Sequence, residues 1–115
     1  MNPYDKAHEL ARIIRASSEC QTMLQAKEAI MQDAAAARMM DDFERKQQLI
    51  YQQYQDGQMP ESEQLAEMRT LMDIMRANSV LAPYLQADAR LALLINDIQR
   101  IIVDSVSDTR WQVRE

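Results

Sequence analysis

Few side chains in this sequence could carry out chemistry, and their spacing matches no common catalytic or metal-binding pattern. The 115 residues include one histidine, His8, and one cysteine, Cys20. A zinc or di-metal site needs several ligands at set spacings, such as Glu-x-x-His on facing helices, and no such motif occurs. We therefore interpret His8 as a partly buried packing or hydrogen-bonding residue and Cys20 as a small, half-buried hydrophobe near a helix start.

The densest group of carboxylates consists of Asp41, Asp42 and Glu44. Neighbouring residues on a helix point about 100° apart, so Asp41 and Asp42 do not converge on one metal or substrate atom. Each has a basic residue four positions later, Arg45 or Lys46, in the acid-first order that stabilises a helix. The cluster therefore predicts a solvated helix face.

The composition excludes several classes of function. One glycine and three prolines in the whole chain favour few, long helices and exclude glycine-rich phosphate-binding loops. The net charge of −5 is spread evenly and forms no basic patch, which makes nucleic acid an improbable partner. We predict a protein with no catalytic site, no cofactor and no metal.

The start of the chain and its hydropathy bear on localisation. A single cysteine suits a reducing compartment. The first residues lack the basic and apolar runs of a signal peptide, and no stretch of 18 apolar residues occurs. The sequence thus predicts a cytoplasmic protein that does not enter the membrane.

Helix-spaced apolar residues divide the chain into five helices, and polar residues mark where the first three begin. Asn2 suits the N-cap of helix one, with Pro3 in its first position. Ser18 and Gln21 form a candidate capping box for helix two. Whether helices one and two bend or run on stays open. Asp33 is the predicted N-cap of helix three.

Turn residues separate the remaining helices. The segment 56–59 predicts a sharp hairpin turn around Gly57, in the left-handed conformation that glycine tolerates, with Pro60 or Ser62 opening helix four. Asn78 is the candidate cap of helix five. Pro83 lies too deep in a helix capped there, so a start near Ala82 is the alternative.

These elements predict an all-α fold, an elongated antiparallel bundle that contains a long helical hairpin. Residues 1–107 form one domain, and residues 108–115 form a frayed tail. Helices three and five would be about 35 and 40 Å long. Such rods bury their apolar stripes poorly within one chain, so we expect a dimer or higher oligomer, with a monomeric bundle as the alternative.

Two apolar stripes are candidates for contact with other chains. One is the methionine-rich face of helix four, and the other is the regular stripe of helix five. The methionines also suit an interhelical core, which is the favoured interpretation. The predicted interface residues are Met68, Met72, Met75, Leu91, Ile95, Ile98 and Ile102.

Three segments together resemble one bacterial family. The N-terminal run from Pro3 to Ala11, the turn from Gln52 to Glu61, and the last helix from Asn78 to Ile102 are similar in order and spacing to the YlbF/YheA/YmcA family. The resemblance extends to about Val106.

The resemblance implies an oligomeric, all-helical cytoplasmic regulator in competence, sporulation and biofilm formation. It also implies self-association and contacts with other family members or with RNA-decay proteins. Relatives that bind iron–sulfur clusters use cysteines in a C-terminal extension, which this sequence lacks, and no catalytic residue is implied. The resemblance therefore favours a non-catalytic adaptor; an accessory factor that contacts RNA directly is the alternative function.

Overall fold

The structure is a computed structural model that describes residues 2–114. Five helices follow one another: α1 Pro3–Ala16, α2 Ser18–Met31, α3 Ala34–Gln55, α4 Ser62–Ala77 and α5 Ala82–Asp104, before a short 3₁₀ turn, Ser107–Thr109. The described part of the chain contains no strand, which confirms the all-α prediction. None of its helices is long and apolar enough to cross a membrane.

Local capping explains where the first three helices begin. The Asn2 side chain accepts a hydrogen bond from the Tyr4 amide at 2.8 Å, and Asp33 accepts one from the Ala36 amide at 3.0 Å, so both predicted caps are confirmed. The predicted capping box at Ser18 is wrong by one residue. Ser17 caps α2 and accepts from the Cys20 amide at 3.2 Å.

The turn between α3 and α4 has the predicted glycine conformation. Gly57 has φ +76°. Its amide donates to the Tyr54 carbonyl at 3.1 Å, and the Gln58 amide donates to the Gln53 carbonyl at 2.8 Å. This pair of bonds is the Schellman pattern that ends a helix. The next helix begins at Ser62, one of the two predicted starts.

A Gly57→Ala variant is expected to lose about 1 kcal/mol of unfolding free energy, from backbone strain alone. An added Cβ would meet nothing within 4 Å, so no steric clash adds to that cost. Urea denaturation measures the loss, with exposed Gln58→Ala as the control. An unchanged unfolding midpoint for Gly57→Ala would contradict this account of the turn.

The start of α5 follows the alternative prediction. The helix begins at Ala82 with Pro83 in its second position, where no amide donor is needed. Asn78 ends α4, and its side chain accepts from the amides of Val80 at 2.8 Å and Leu81 at 3.1 Å. Asn78 therefore shapes the connecting turn and does not cap α5.

The hydrophobic core is small and lies where the ends of α2 and α4 meet the starts of α3 and α5. Its buried residues are Ile30, Ala36, Phe43, Met75 and Leu81. α2 packs most extensively along α5, while α3 and α4 form the predicted antiparallel hairpin. The methionines of α4 belong to this region: Met75 is 0% exposed, and Met68 and Met72 pack against the core half-buried.

Tyr84 lies at the edge of this core, and burial raises the pKa of its phenol, with the negative charges of Asp88 and Glu44 adding to the effect. A raised folded-state pKa means that stability is full below about pH 10 and is lost as pH rises further, because the unfolded chain ionises first. We expect Tyr84→Phe to lose less stability than the wild type between about pH 9 and 11. Urea midpoints across this range measure it, with the exposed Tyr51→Phe as the control; identical pH profiles for wild type and Tyr84→Phe would contradict it.

The chain is elongated and open. Its extents are 49 × 37 × 23 Å, and its radius of gyration is 18.6 Å, against about 13 Å for a compact domain of this length. Many large apolar side chains are exposed, among them Leu49 and Tyr51 on α3 and Ile101 on α5. Beyond α5, Trp111 is 83% exposed, with the Arg114 guanidinium 5.6 Å from its ring centre.

Candidate protein-binding groove

The first wall of the candidate site is α1, which leaves the rest of the fold at a sharp break. The Ser17 hydroxyl donates to the Ile14 carbonyl at 2.6 Å, and the Gln21 side chain donates to the Arg15 carbonyl at 2.9 Å. These bonds end α1 and turn the chain into α2. Helices one and two therefore do not run on as one continuous helix but are separate helices.

α1 contributes nothing to the buried core. None of its 14 residues is buried, and among the helices it packs only against α2. Its apolar residues nevertheless lie on one face, as the sequence predicts for a helix that packs against something. His8 is exposed, so the expectation that it is partly buried is wrong, because α1 has no second layer to cover it.

The second wall is the C-terminal half of α5. Ile95 and Ile102 are 37% and 56% exposed, and Ile98 is half-buried. No Cα atom of α1 lies within 8 Å of a Cα atom of α5. The two helices therefore stand apart and leave a groove of about 670 Å³ between them.

The groove is almost entirely apolar, with Lys6 and Gln99 as its polar lining among the described residues. The full lining is Pro3, Tyr4, Lys6, Ala7, Leu10, Ala11, Ile14, Ile95, Ile98, Gln99 and Ile102. A contiguous apolar surface that stays exposed to solvent is a feature of protein-binding sites. We call this site the α1–α5 groove.

The groove brings together some of the predicted interface residues. Ile95, Ile98 and Ile102 line it, while Leu91 lies half-buried one turn earlier on α5. The α4 residues Met68, Met72 and Met75 lie at the core instead, and Met75 has no exposed surface to offer a partner. The predicted interface residues did not include the α1 wall. The helix-spaced apolar residues from Tyr4 to Ile14 are the sequence pattern that could have indicated it.

The other side chains singled out in the sequence do not converge. Cys20 is half-buried in the first turn of α2, as expected, and the Arg15 guanidinium lies 3.8 Å from its sulfur. Asp42 pairs with Lys46 at 2.9 Å on α3. Among the described residues, no three His, Cys, Asp or Glu side chains lie together as a metal site would require.

A family model and individual relatives match this chain over almost the same residues. The family described as control of competence regulator ComK, YlbF/YmcA, matches residues 4–107. A UPF0342 protein of Streptococcus pyogenes serotype M4 is 37% identical over 105 residues, which cover 91% of this chain and 93% of the relative. A UPF0342 protein of serotype M5 matches with the same identity and coverage.

Two solved structures share the fold. A protein of unknown function (DUF964) from Bacillus stearothermophilus superposes with a TM-score of 0.84 at 21% identity, covering 91% of this chain and 92% of that one. Bacillus subtilis RicA, solved in complex with RicF, gives a TM-score of 0.62 at 19% identity, covering 92% and 94%. With a family match over almost its whole length and relatives that are 37% identical, the chain belongs to the YlbF/YmcA family of competence-control proteins.

Proposed function

We propose that this chain is a non-catalytic regulatory adaptor that acts by binding the helices of other protein chains in the α1–α5 groove. The observation that carries the proposal is the groove itself: two amphipathic walls, α1 and α5, that stand apart with their apolar faces uncovered. Helix-in-groove binding is a common mode of recognition for such a surface.

The partners we propose are helical chains of the same family, including further copies of this one, together with proteins of the RNA-decay machinery. The solved complex of RicA with RicF supports a protein partner, since RicA shares the fold of this chain. The processes would be those of the family: competence, sporulation, biofilm formation and RNA decay in the cytoplasm.

The lining of the groove bears on the alternative of direct RNA contact. Phosphate recognition needs a cluster of basic side chains. Lys6 is the charged residue among the described residues that line the groove, and the chain carries a net charge of −5. The site therefore favours protein over RNA.

Complementation of a strain that lacks this protein tests the proposal. We expect the wild type to restore regulation, measured as competence-gene expression and transcript half-lives, and Ile98→Glu to fail. Leu93→Glu is the matched control, because Leu93 is 62% exposed on the same helix but does not line the groove. Full restoration by Ile98→Glu would contradict a role for the groove.

A further inference from the structure

We propose that the α1–α5 groove is filled by α1 of a second copy of this chain, so that α1 and α5 of both copies form a four-helix bundle about a two-fold axis. The inference rests on the proposed function of the groove and names its first occupant. Each copy would supply one helix to the other copy's groove, so the site is complete only in the pair.

The single chain exposes more surface than a compact monomer of its mass, as a subunit of an oligomer does when it is taken alone. The chain exposes 9319 Å², whereas a compact monomer of 13.4 kDa exposes about 6,500 Å². The excess of about 2,800 Å² is comparable to the area that each chain of a large, permanent homodimer buries, roughly 1,000–2,500 Å². A single peptide helix bound in the groove would cover much less than this excess area.

Both walls of the groove have the residue spacing of a helical bundle. The α1 stripe consists of Tyr4, Ala7, Ala11 and Ile14, at steps of three, four and three residues. The α5 stripe consists of Leu91, Ile95, Ile98 and Ile102, at steps of four, three and four. Alternating steps of three and four are the a and d positions of heptads, which pack helices about 20° from parallel or antiparallel. The small side chains of α1 permit close approach between helices.

Charge favours an antiparallel arrangement of the two α1 helices. The N-terminal half of α1 carries Asp5, Lys6 and Glu9, for a net charge of −1, and the C-terminal half carries Arg12 and Arg15, for +2. Antiparallel pairing places each acidic half beside the basic half of the other copy and also opposes the two helix dipoles. Parallel pairing would place like charges together.

The symmetry of the α1 stripe also gives a register. Its four residues are placed symmetrically on either side of position 9. A two-fold axis that passes at position 9 therefore sets Tyr4 opposite Ile14 of the second copy. Ala7 then lies opposite Ala11 of the second copy. Ala7 and the second copy's own Ala7 would be offset by about four residues, or 6 Å along the helix.

Native mass measurement tests the pairing. We expect the wild type at twice 13.4 kDa and Ala11→Glu at the single-chain mass with unchanged helical circular dichroism, because no α1 residue contributes to the core. The matched control, Ile13→Glu, is expected to stay paired, since Ile13 is 61% exposed on the same helix outside the groove. A wild type that stays monomeric at all concentrations, or a fully paired Ala11→Glu, would overturn the inference. Neither result decides the proposed function, which complementation tests whatever the partner.

Disulfide formation tests the register. In a Cys20→Ser background, chains with Ala7→Cys coexpressed with chains with Ala11→Cys are expected to form a mixed disulfide, since facing Cα atoms must lie within about 7 Å. Ala7→Cys alone is expected to form at least tenfold less. A disulfide yield from Ala7→Cys alone that equals the mixed yield would overturn the antiparallel arrangement.

Discussion

A Met75→Ala variant is expected to lose about 2–5 kcal/mol of unfolding free energy. Met75 is 0% exposed and belongs to the same buried cluster as Phe43 and Leu81. The substitution removes buried side-chain atoms from this cluster, and the cavity that they leave adds to the cost of the lost burial. A total stability of about 5–15 kcal/mol is typical of a small domain, so this one substitution would remove a large share.

Urea denaturation at one fixed protein concentration measures the loss, since association also adds to stability. Met59→Ala is the matched control, because Met59 is 80% exposed at the hairpin turn. We expect that control to change stability by less than about 0.5 kcal/mol. Equal effects of the two substitutions would contradict the placement of the core.

An Ile98→Glu variant is expected to weaken association through the groove by at least about 100-fold, because an unpaired carboxylate would be buried against apolar side chains at a cost of several kcal/mol. Ile98 lies between Ile95 and Ile102 on the α5 wall. It is only half-buried in the single chain, so the variant should fold normally.

The dissociation constant of the complex measures this effect, by sedimentation for a second copy or by calorimetry for a purified family relative. Leu93→Glu controls for the added charge on the same helix. If both variants bind as tightly as the wild type, the α5 wall is not an interface.

The helix boundaries were largely predictable because capping is local. Asn2, Asp33 and Gly57 each satisfy backbone groups within a few residues, so their roles follow from residue type and position. The boundary at Ser17 was missed by one residue. Two adjacent serines are both competent caps, and the choice depends on which one leaves helical geometry; Ser17 has the extended backbone, with ψ 157°.

The groove was predictable only in part, since periodicity shows which residues share a face but not what that face meets. The α5 stripe was identified, and three of its members line the groove. The α4 stripe has a similar pattern, yet Met75 faces the core. The α1 wall could not be placed from sequence, because the position of α1 depends on the turn at Ser17. Hydrophobic periodicity identifies the apolar face of a helix but does not give the direction of the helix after such a turn. The frayed tail at residues 108–115 remains a prediction, with Glu115 outside the described residues.

Photo-crosslinking in the native cell tests most directly whether another protein covers the α1–α5 groove. A benzoylphenylalanine probe would replace Tyr4, which is 76% exposed and lines the groove, or Tyr51, which is 64% exposed on α3. The account predicts that the Tyr4 probe joins this chain to a second protein chain, in much higher yield than the Tyr51 probe. A Tyr4 probe that leaves the chain at its single mass, or that crosslinks no better than the Tyr51 probe, would contradict it.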